Sequence, residues 1–265
     1  MRVCLLNPPD LNTLDSRLEP PLGLMYISSY LKENNVDVKL IDLAFHEFGE
    51  WKEIIQDNPA DLYGMTVYSA SFNSAIELSK IIKHIYPNSK IIMGGSHPTA
   101  LSWQTLFDTP ADFVCINEGE ETMLELCRNF GNEFFYPSIT GLCYKLGNRI
   151  FLGNARPLIE DLDSLPFPDR ETIPIKDYTR VVEDEQSCAV MASRGCPYNC
   201  AFCCSRKFWA GTRFQSIEKT LKELETIKEK YKFKAINFHD DTFTLNSTRC
   251  TRRHNKLCPN LHDKP

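Results

Sequence analysis

Asp61-Leu-Tyr-Gly-Met-Thr-Val-Tyr68, Ser69-Ala-Ser-Phe-Asn-Ser-Ala-Ile-Glu-Leu-Ser-Lys-Ile-Ile-Lys-His-Ile-Tyr-Pro-Asn-Ser89 and Lys90-Ile-Ile-Met-Gly-Gly95 follow one another without a break. The first and third pieces are short apolar runs, of strand length. Between them, Ala75, Leu78, Ile81, Ile82 and Ile85 recur at helical spacing, and the stripe stops before Pro87, where the residue ahead of a proline leaves the helical region. Strand, helix, strand ending in Gly94-Gly95 is one parallel crossover unit.

The same alternation extends outward in both directions. Upstream, Arg2–Leu6 is a strand closed by Asn7-Pro8-Pro9, residues 21–32 carry Leu22, Met25, Tyr26, Ser29 and Leu31 at helical spacing, residues 36–43 alternate as a strand, and 51–56 are helical. Downstream come a helix over 101–107, a strand over 113–116 that ends in Asn117-Glu-Gly-Glu120, and a helix over 122–130. Strands that alternate with helices in this way predict an α/β domain, a doubly wound parallel sheet of the flavodoxin-like (Rossmann-type) order 2-1-3-4-5 with right-handed crossovers. A ligand then binds beyond the carboxyl ends of the strands. Loops 8–10, 69–73, 94–99 and 118–121 lie there and make Pro9, Ser69, Ser71, Gly94, Gly95, His97, Glu118 and Gly119 the candidate binding residues. Each has a plain structural alternative: a tight turn at Gly94-Gly95, helix capping at Ser69 and Ser71, a solvated loop histidine at His97. No G-x-G-x-x-G follows the first strand, which disfavours a dinucleotide.

Composition narrows the class. The 265 residues are 42% hydrophobic and 25% charged, as in an ordinary folded domain. Thirty basic against 35 acidic residues give a net charge of −5, so no positive field recruits nucleic acid or anionic lipid. No run reaches the roughly 18 apolar residues of a membrane span, and no secretory leader is expected. Eleven cysteines under those conditions imply a reducing, cytoplasmic setting and metal or redox chemistry rather than disulfides.

Three segments are expected: a binding domain over 1–135, a hairpin and Pro-rich linker over 136–186, and a second domain over 187–265. The hairpin spans 141–156 around Gly147-Asn148; three Pro and five acidic residues between Glu160 and Pro174 then preclude a regular element. A short strand at 189–192 runs into Ser193-Arg-Gly-Cys-Pro-Tyr-Asn-Cys-Ala-Phe-Cys-Cys204. Cys196, Cys200 and Cys203 have C-x3-C-x2-C spacing. Three thiolates this close can hold three irons of a [4Fe–4S] cluster, which takes four ligands when fully protein-bound, so one iron stays open to a substrate or cofactor. A structural zinc site pairs two knuckles and only one is evident, so the spacing favours iron–sulfur over zinc.

Ser193–Cys203 resembles the signature loop of radical S-adenosylmethionine (SAM) enzymes, in particular the subfamily with an N-terminal cobalamin-binding domain. Pro20-Pro-Leu-Gly-Leu24, Gly94-Gly-Ser-His-Pro-Thr99, Asn117-Glu-Gly-Glu120 and Leu162-Asp-Ser-Leu-Pro-Phe-Pro-Asp169 resemble recurring segments of that subfamily, in the expected order, so the likeness covers about residues 1–247. It implies an incomplete (β/α) barrel after the sheet. It further implies a [4Fe–4S] cluster on Cys196, Cys200 and Cys203, SAM on the open iron, Phe202 by the adenine and Asp240-Asp241 against the SAM amino group. The alternative for the aspartates is a helix N-cap. Arg194, Arg206 and Arg213 are candidates to face the SAM carboxylate. The implied reaction is reductive SAM cleavage to methionine and a 5′-deoxyadenosyl radical, with a low-potential electron donor such as flavodoxin or ferredoxin, a small-molecule substrate, and cobalamin carrying a methyl group. Methyl transfer leads; cyclisation, a non-catalytic corrinoid-binding protein, a zinc protein and a tRNA-modifying enzyme are the alternatives.

Two features depart from the pattern. The D-x-H-x-x-G motif that supplies a cobalt ligand in many such domains is absent; the loop reads Asn7-Pro8-Pro9-Asp10-Leu11, and His97 is not expected to replace it as a cobalt ligand. Residues 187–265 suffice for at most about two and a half strand–helix units of roughly 30 residues, so the barrel is expected to be truncated. In the tail, Cys250, His254, Cys258 and His262 recur every four residues, yet Pro259 interrupts the helix that would align them as zinc ligands, and a disordered basic tail is expected.

Overall fold

A computed structural model of the chain describes residues 1–245, apart from Asn12 and Leu14. The Cys250–His262 pattern lies outside the described residues. The described residues form two compact units: Met1–Leu158 with Pro166–Tyr178, and Ile159–Leu165 with the described residues from Thr179 onward.

The first unit is the alternating domain. Its elements are β1 (Arg2–Asn7), α1 (Leu22–Glu33), β2 (Asp37–Asp42), α2 (Trp51–Asp57), β3 (Leu62–Thr66), α3 (Phe72–Ile85) and β4 (Lys90–Gly94). There follow α4 (Ser96–Ala100), α5 (Ser102–Asp108), β5 (Phe113–Cys115), α6 (Glu120–Arg128), β6 (Leu142–Leu146) and β7 (Arg149–Phe151). The sheet order is β2-β1-β3-β4-β5-β6-β7, so the expected 2-1-3-4-5 core is present. The first five strands are parallel, with Leu5 facing Leu40 on one side and Gly64 on the other. Leu6, Met65, Met93, Val114, Leu78 and Ile82 are fully or almost fully buried in one core, which also holds Trp51 and Ile55 of α2. On the helical layers, α1 packs on α6 and α2 on α3.

Two local features differ from expectation. The hairpin at 141–156 forms as β6 and β7 and extends the sheet antiparallel, with Phe113 paired to Tyr144. β5 would otherwise be an open edge, and β6 takes the sixth place beside it. Residues 96–100, expected as loop, make the short helix α4, whose Pro98 stands within its first turn, where a missing N–H costs no hydrogen bond.

Residues 166–178 belong to this unit through two carboxylates. Asp169 Oδ2 accepts from Ser28 Oγ (2.6 Å), Lys32 Nζ (2.7 Å) and Thr172 Oγ1 (2.6 Å). Burial pushes its carboxyl up, but those hydrogen bonds outweigh it and hold it below the usual range. Tyr178 donates its hydroxyl to Asp42 Oδ2 at 2.5 Å, and Asn7 Nδ2 and the Ala44 N–H donate to Asp42 Oδ1 at 2.9 Å each.

The second unit contains β8 (Val181–Val182), β9 (Glu185–Val190), β10 (Ser193–Arg194), α7 (Ser205–Trp209), β11 (Arg213–Phe214), α8 (Ile217–Thr226) and β12 (Ala235–Phe238). β9 and β12 are parallel, in register from Ser187–Ala235 to Val190–Phe238, and α8 is the helix of the crossover between them. This is the strand–helix–strand repeat of a (β/α) barrel. α8 is followed by a π-turn at Ile227–Tyr231, after which Lys232 takes φ 62°. Asp163 Oδ1 accepts from the Ser216 N–H at 2.7 Å, and Lys219 Nζ donates to the Asp163 carbonyl at 2.9 Å, so the 159–165 segment seals the start of α8. Among the described residues no helix is long and apolar enough to cross a membrane.

Candidate functional site

In the first unit the parallel ladder brings the carboxyl ends of β1, β3, β4 and β5 to one edge. Pro9 is buried just past β1. Past β3, the Val67 N–H donates to the Gly94 carbonyl at 2.8 Å, which ties the two central loops together. Gly95 then turns with φ +101°, and a Cβ there would stand 2.8 Å from the Val67 carbonyl oxygen. Only glycine fits both conditions. Ser71 is buried and closes the turn before α3, its Oγ accepting from the Tyr68 N–H at 3.2 Å. Gly119 packs so closely on α1 that a Cβ would meet Ile27 Cδ1 at 2.8 Å. Glu118 is buried beside it.

His97 is the most specific feature of this edge. Its Nδ1 shares a hydrogen bond with Ser69 Oγ at 3.1 Å, and its ring lies 4.0 Å from the Phe72 ring, tilted by 30°. Its Nε2 is buried and has no hydrogen-bond partner. Burial holds the ring below the ordinary histidine range, in favour of the neutral form. Ser69 and His97 are thus brought together, and Phe72 joins them; no sequence spacing announces that stacking. Asn117 (φ 62°), whose N–H donates to Thr99 Oγ1 at 3.0 Å, stands on this edge too, although only its neighbours Glu118 and Gly119 were candidate binding residues.

An orphaned ring nitrogen beside a Gly-Gly turn and a row of small loop residues fits a bulky ligand with polar groups at its rim. Cobalamin is such a ligand. The thiols nearby do not compete for metal: burial pushes Cys4 and Cys115 up to about 12. The high cysteine count is therefore partly a core property, not a metal signal.

In the second unit, Cys196, Cys200 and Cys203 lie on the loop between β10 and α7. Cys196 is half-buried, the other two are exposed, and all are free thiols. Gly195 (φ +93°) starts the loop where a Cβ would collide with the Gly211 carbonyl. The Cys203 N–H donates to the Cys200 carbonyl at 3.1 Å, and the Ser205 N–H donates to Cys203 Sγ at 3.4 Å. Cys196 Sγ lies 3.2 Å from Thr242 Oγ1. The three sulfurs do not converge: among the described residues no three His, Cys, Asp or Glu side chains are gathered to hold a metal ion. The donor set nonetheless suits a soft iron–sulfur cluster: three free thiols on one glycine-led loop, with N–H and O–H groups beside two of the sulfurs.

The remaining expected residues have definite places. Phe202 is 94% exposed. Asp240 Oδ2 accepts from the Ala192 N–H at 3.1 Å, and Asp240 Oδ1 accepts from Ser193 Oγ. Asp241 Oδ2 accepts from Ser205 Oγ. Arg194 is buried, and the Arg213 guanidinium lies 5.8 Å over the Trp209 ring. Thr242 was not among the expected residues, since only the pairing of β9 with β12 brings it to Cys196.

Residues 16–127 match the B12 binding domain family. The chain is 34% identical over 256 residues to an uncharacterized methyltransferase of Pyrococcus horikoshii, covering 94% of this chain and 55% of that protein. It is 28% identical over 256 residues to the anaerobic magnesium-protoporphyrin IX monomethyl ester cyclase of Synechocystis, covering 93% of this chain and 50% of that protein. In fold it is similar to the radical SAM methyltransferase TsrM of Kitasatospora setae, solved with cobalamin and a [4Fe–4S] cluster bound. The TM-score is 0.75 at 15% identity, over 100% of this chain and 52% of TsrM. The chain thus spans about half the length of the relatives it matches.

Proposed function

We propose that the chain is a radical SAM enzyme of the cobalamin-binding branch: that it binds a [4Fe–4S] cluster through Cys196, Cys200 and Cys203, cleaves SAM reductively, and transfers a methyl group by way of cobalamin. The observation that carries the reading is the cysteine loop itself: three free thiols within eight residues, directly after the first parallel strand of a strand–helix–strand unit, in a chain whose other unit is a B12 binding domain. When bound, the cluster supplies the electron that breaks a C–S bond of SAM, and cobalamin supplies the methyl carrier.

The chain's own residues have narrower tasks. Gly195 lets the loop leave β10 without a clash, and the Ser205 N–H donates to Cys203 Sγ. Exposed Phe202 offers an unpartnered aromatic face to the adenine. Asp240 and Asp241, implied by resemblance to meet the SAM amino group, already accept hydrogen bonds from the loop, so in this reading they hold the loop first and face SAM only with what remains. At the other site, Gly94 and Gly95 let backbone approach the corrin. The neutral His97 offers Nε2 to a polar group of the ligand, with Pro9, Ser69, Ser71, Glu118 and Gly119 lining the same edge. The proposal includes a small-molecule substrate, a flavodoxin- or ferredoxin-type donor and a cytoplasmic setting. Cyclisation is the second reading, favoured by the likeness to the Synechocystis cyclase.

The test is an anaerobic SAM-cleavage assay on the reconstituted chain, with a parallel titration of cobalamin followed by its visible bands. Formation of 5′-deoxyadenosine and saturable cobalamin binding support the proposal. Cobalamin binding without SAM cleavage would reduce it to a corrinoid-binding protein; the absence of both would reject it.

A further inference from the structure

Resting on the reading of Cys196 as a cluster ligand, we propose that Thr242 is a positioning residue whose hydroxyl donates a hydrogen bond to the Cys196 sulfur and raises the reduction potential of the cluster. The turn Asp240–Thr242 is built to keep it there. Three consecutive side chains, at the carboxyl end of β12, reach three successive parts of the cysteine loop. Asp240 takes the Ala192 N–H and the Ser193 hydroxyl, where the chain enters the loop. Thr242 Oγ1 stands 3.2 Å from Cys196 Sγ, at the first ligand. Asp241 takes the Ser205 hydroxyl, where the chain leaves after the third ligand. The parallel register that pairs Phe238 with Val190, and the His239 N–H donating to the Val190 carbonyl at 2.8 Å, fix the height of this turn against the loop.

In the free thiol either Sγ or Oγ1 can be the donor. A sulfur bound to iron carries no proton, so there the hydroxyl of Thr242 must donate. A hydrogen bond onto a ligand sulfur withdraws charge and favours the more negative, reduced cluster. The Ser205 N–H acts in the same sense on Cys203, but it belongs to the backbone and every substitution except proline leaves it in place. Thr242 is thus the adjustable donor. The bracket also accounts for why both aspartates are spent on the loop.

The experiment compares wild type, T242V, which is isosteric and lacks the hydroxyl, and T242S, which keeps it. Each full chain is reconstituted anaerobically, assayed for iron and sulfide, and titrated redox-wise by EPR. Equal iron in all three, with the T242V midpoint lowered by about 59 mV, a roughly tenfold shift of a one-electron equilibrium, and T242S at the wild-type value, is the expected result. An unmoved T242V midpoint at full iron content overturns the inference, and so does a T242S midpoint shifted as far as T242V, which would make packing the cause. Should T242V not assemble a cluster, T242A carries the same prediction. Loss of iron in both, with T242S intact, replaces potential tuning by a role in assembly and also overturns the proposal. A wild-type chain that takes no iron refutes the cluster reading itself, and is told apart from these outcomes by the iron assay.

Discussion

The edge of the parallel sheet and the cysteine loop are both strand-end sites, and they are made in opposite ways. At the sheet edge the backbone does the shaping. Gly95 is locked by a left-handed φ and a 2.8 Å approach to Val67, and the thiols nearby are sealed in the core. In the loop the backbone ladder is short, two of the three thiols are exposed and the third is half-buried, and side chains from the next strand's end hold it. A site fixed by its ladder is formed before any ligand arrives. A site held by a few side-chain hydrogen bonds is completed by what it binds.

The contrast is broken or sharpened most strongly by thiol chemistry. A thiol held at about 12, such as Cys4, Cys115 or Cys127, carries a thiolate fraction on the order of a thousandfold below an ordinary cysteine. Iodoacetamide mapping by mass spectrometry on the native, metal-free chain therefore labels the exposed Cys200 and Cys203 well before those three. Comparable rates would place both sets in one class.

Next in size is Gly95→Ala. It forces a side chain into φ +101° and against the Val67 carbonyl, at a cost of about 2–3 kcal/mol in chemical denaturation. Cobalamin binding weakens with it, while the cysteine loop still takes iron. Loss of iron in this variant would mean that the two sites are not built independently.

Tyr178→Phe comes third. It removes a donor from buried Asp42 and costs about 1–3 kcal/mol. Burial raises the Asp42 carboxyl, while Tyr178, Ala44 and Asn7 pull it down. A raised carboxyl favours the fold below the unfolded-state value and loses that contribution as pH rises through the folded value. Phenylalanine raises it further, so the penalty is larger at pH 7 than near pH 4. An equal penalty at both would exclude ionised Asp42 as the acceptor.

Lys32→Met has the smallest effect, under about 1 kcal/mol, because the lysine is half in water and Ser28 and Thr172 still hold Asp169. The Asp169 carboxyl is held low, so its stabilisation is present above the usual carboxylate range and fades as pH falls through the folded value; Lys32→Met narrows that acid margin.

The sequence made the sheet legible because its strands are apolar runs with a period of their own: Arg2–Leu6, Leu62–Thr66 and Lys90–Met93 could not easily be anything else. It also exposed the loops, since Gly94-Gly95 and Cys196–Cys203 have marked local chemistry. It did not reveal that β6 and β7 join the sheet antiparallel, because an isolated hairpin looks the same wherever it docks. It hid α4, since Gly95-Ser-His-Pro98 has the composition of a turn. The Phe72–His97 stack and the Thr242–Cys196 contact were invisible for a different reason. Residues 25 and 46 positions apart meet only once strand register is set.

The most direct measurement is iron and acid-labile sulfide per chain after anaerobic reconstitution, with the EPR spectrum of the reduced protein, for wild type and for Cys196→Ala, Cys200→Ala and Cys203→Ala. The account predicts about four irons and a reduced-cluster signal in the wild type, both lost in each variant. A colourless wild type, or one that holds zinc or nothing at those three thiols, would contradict it.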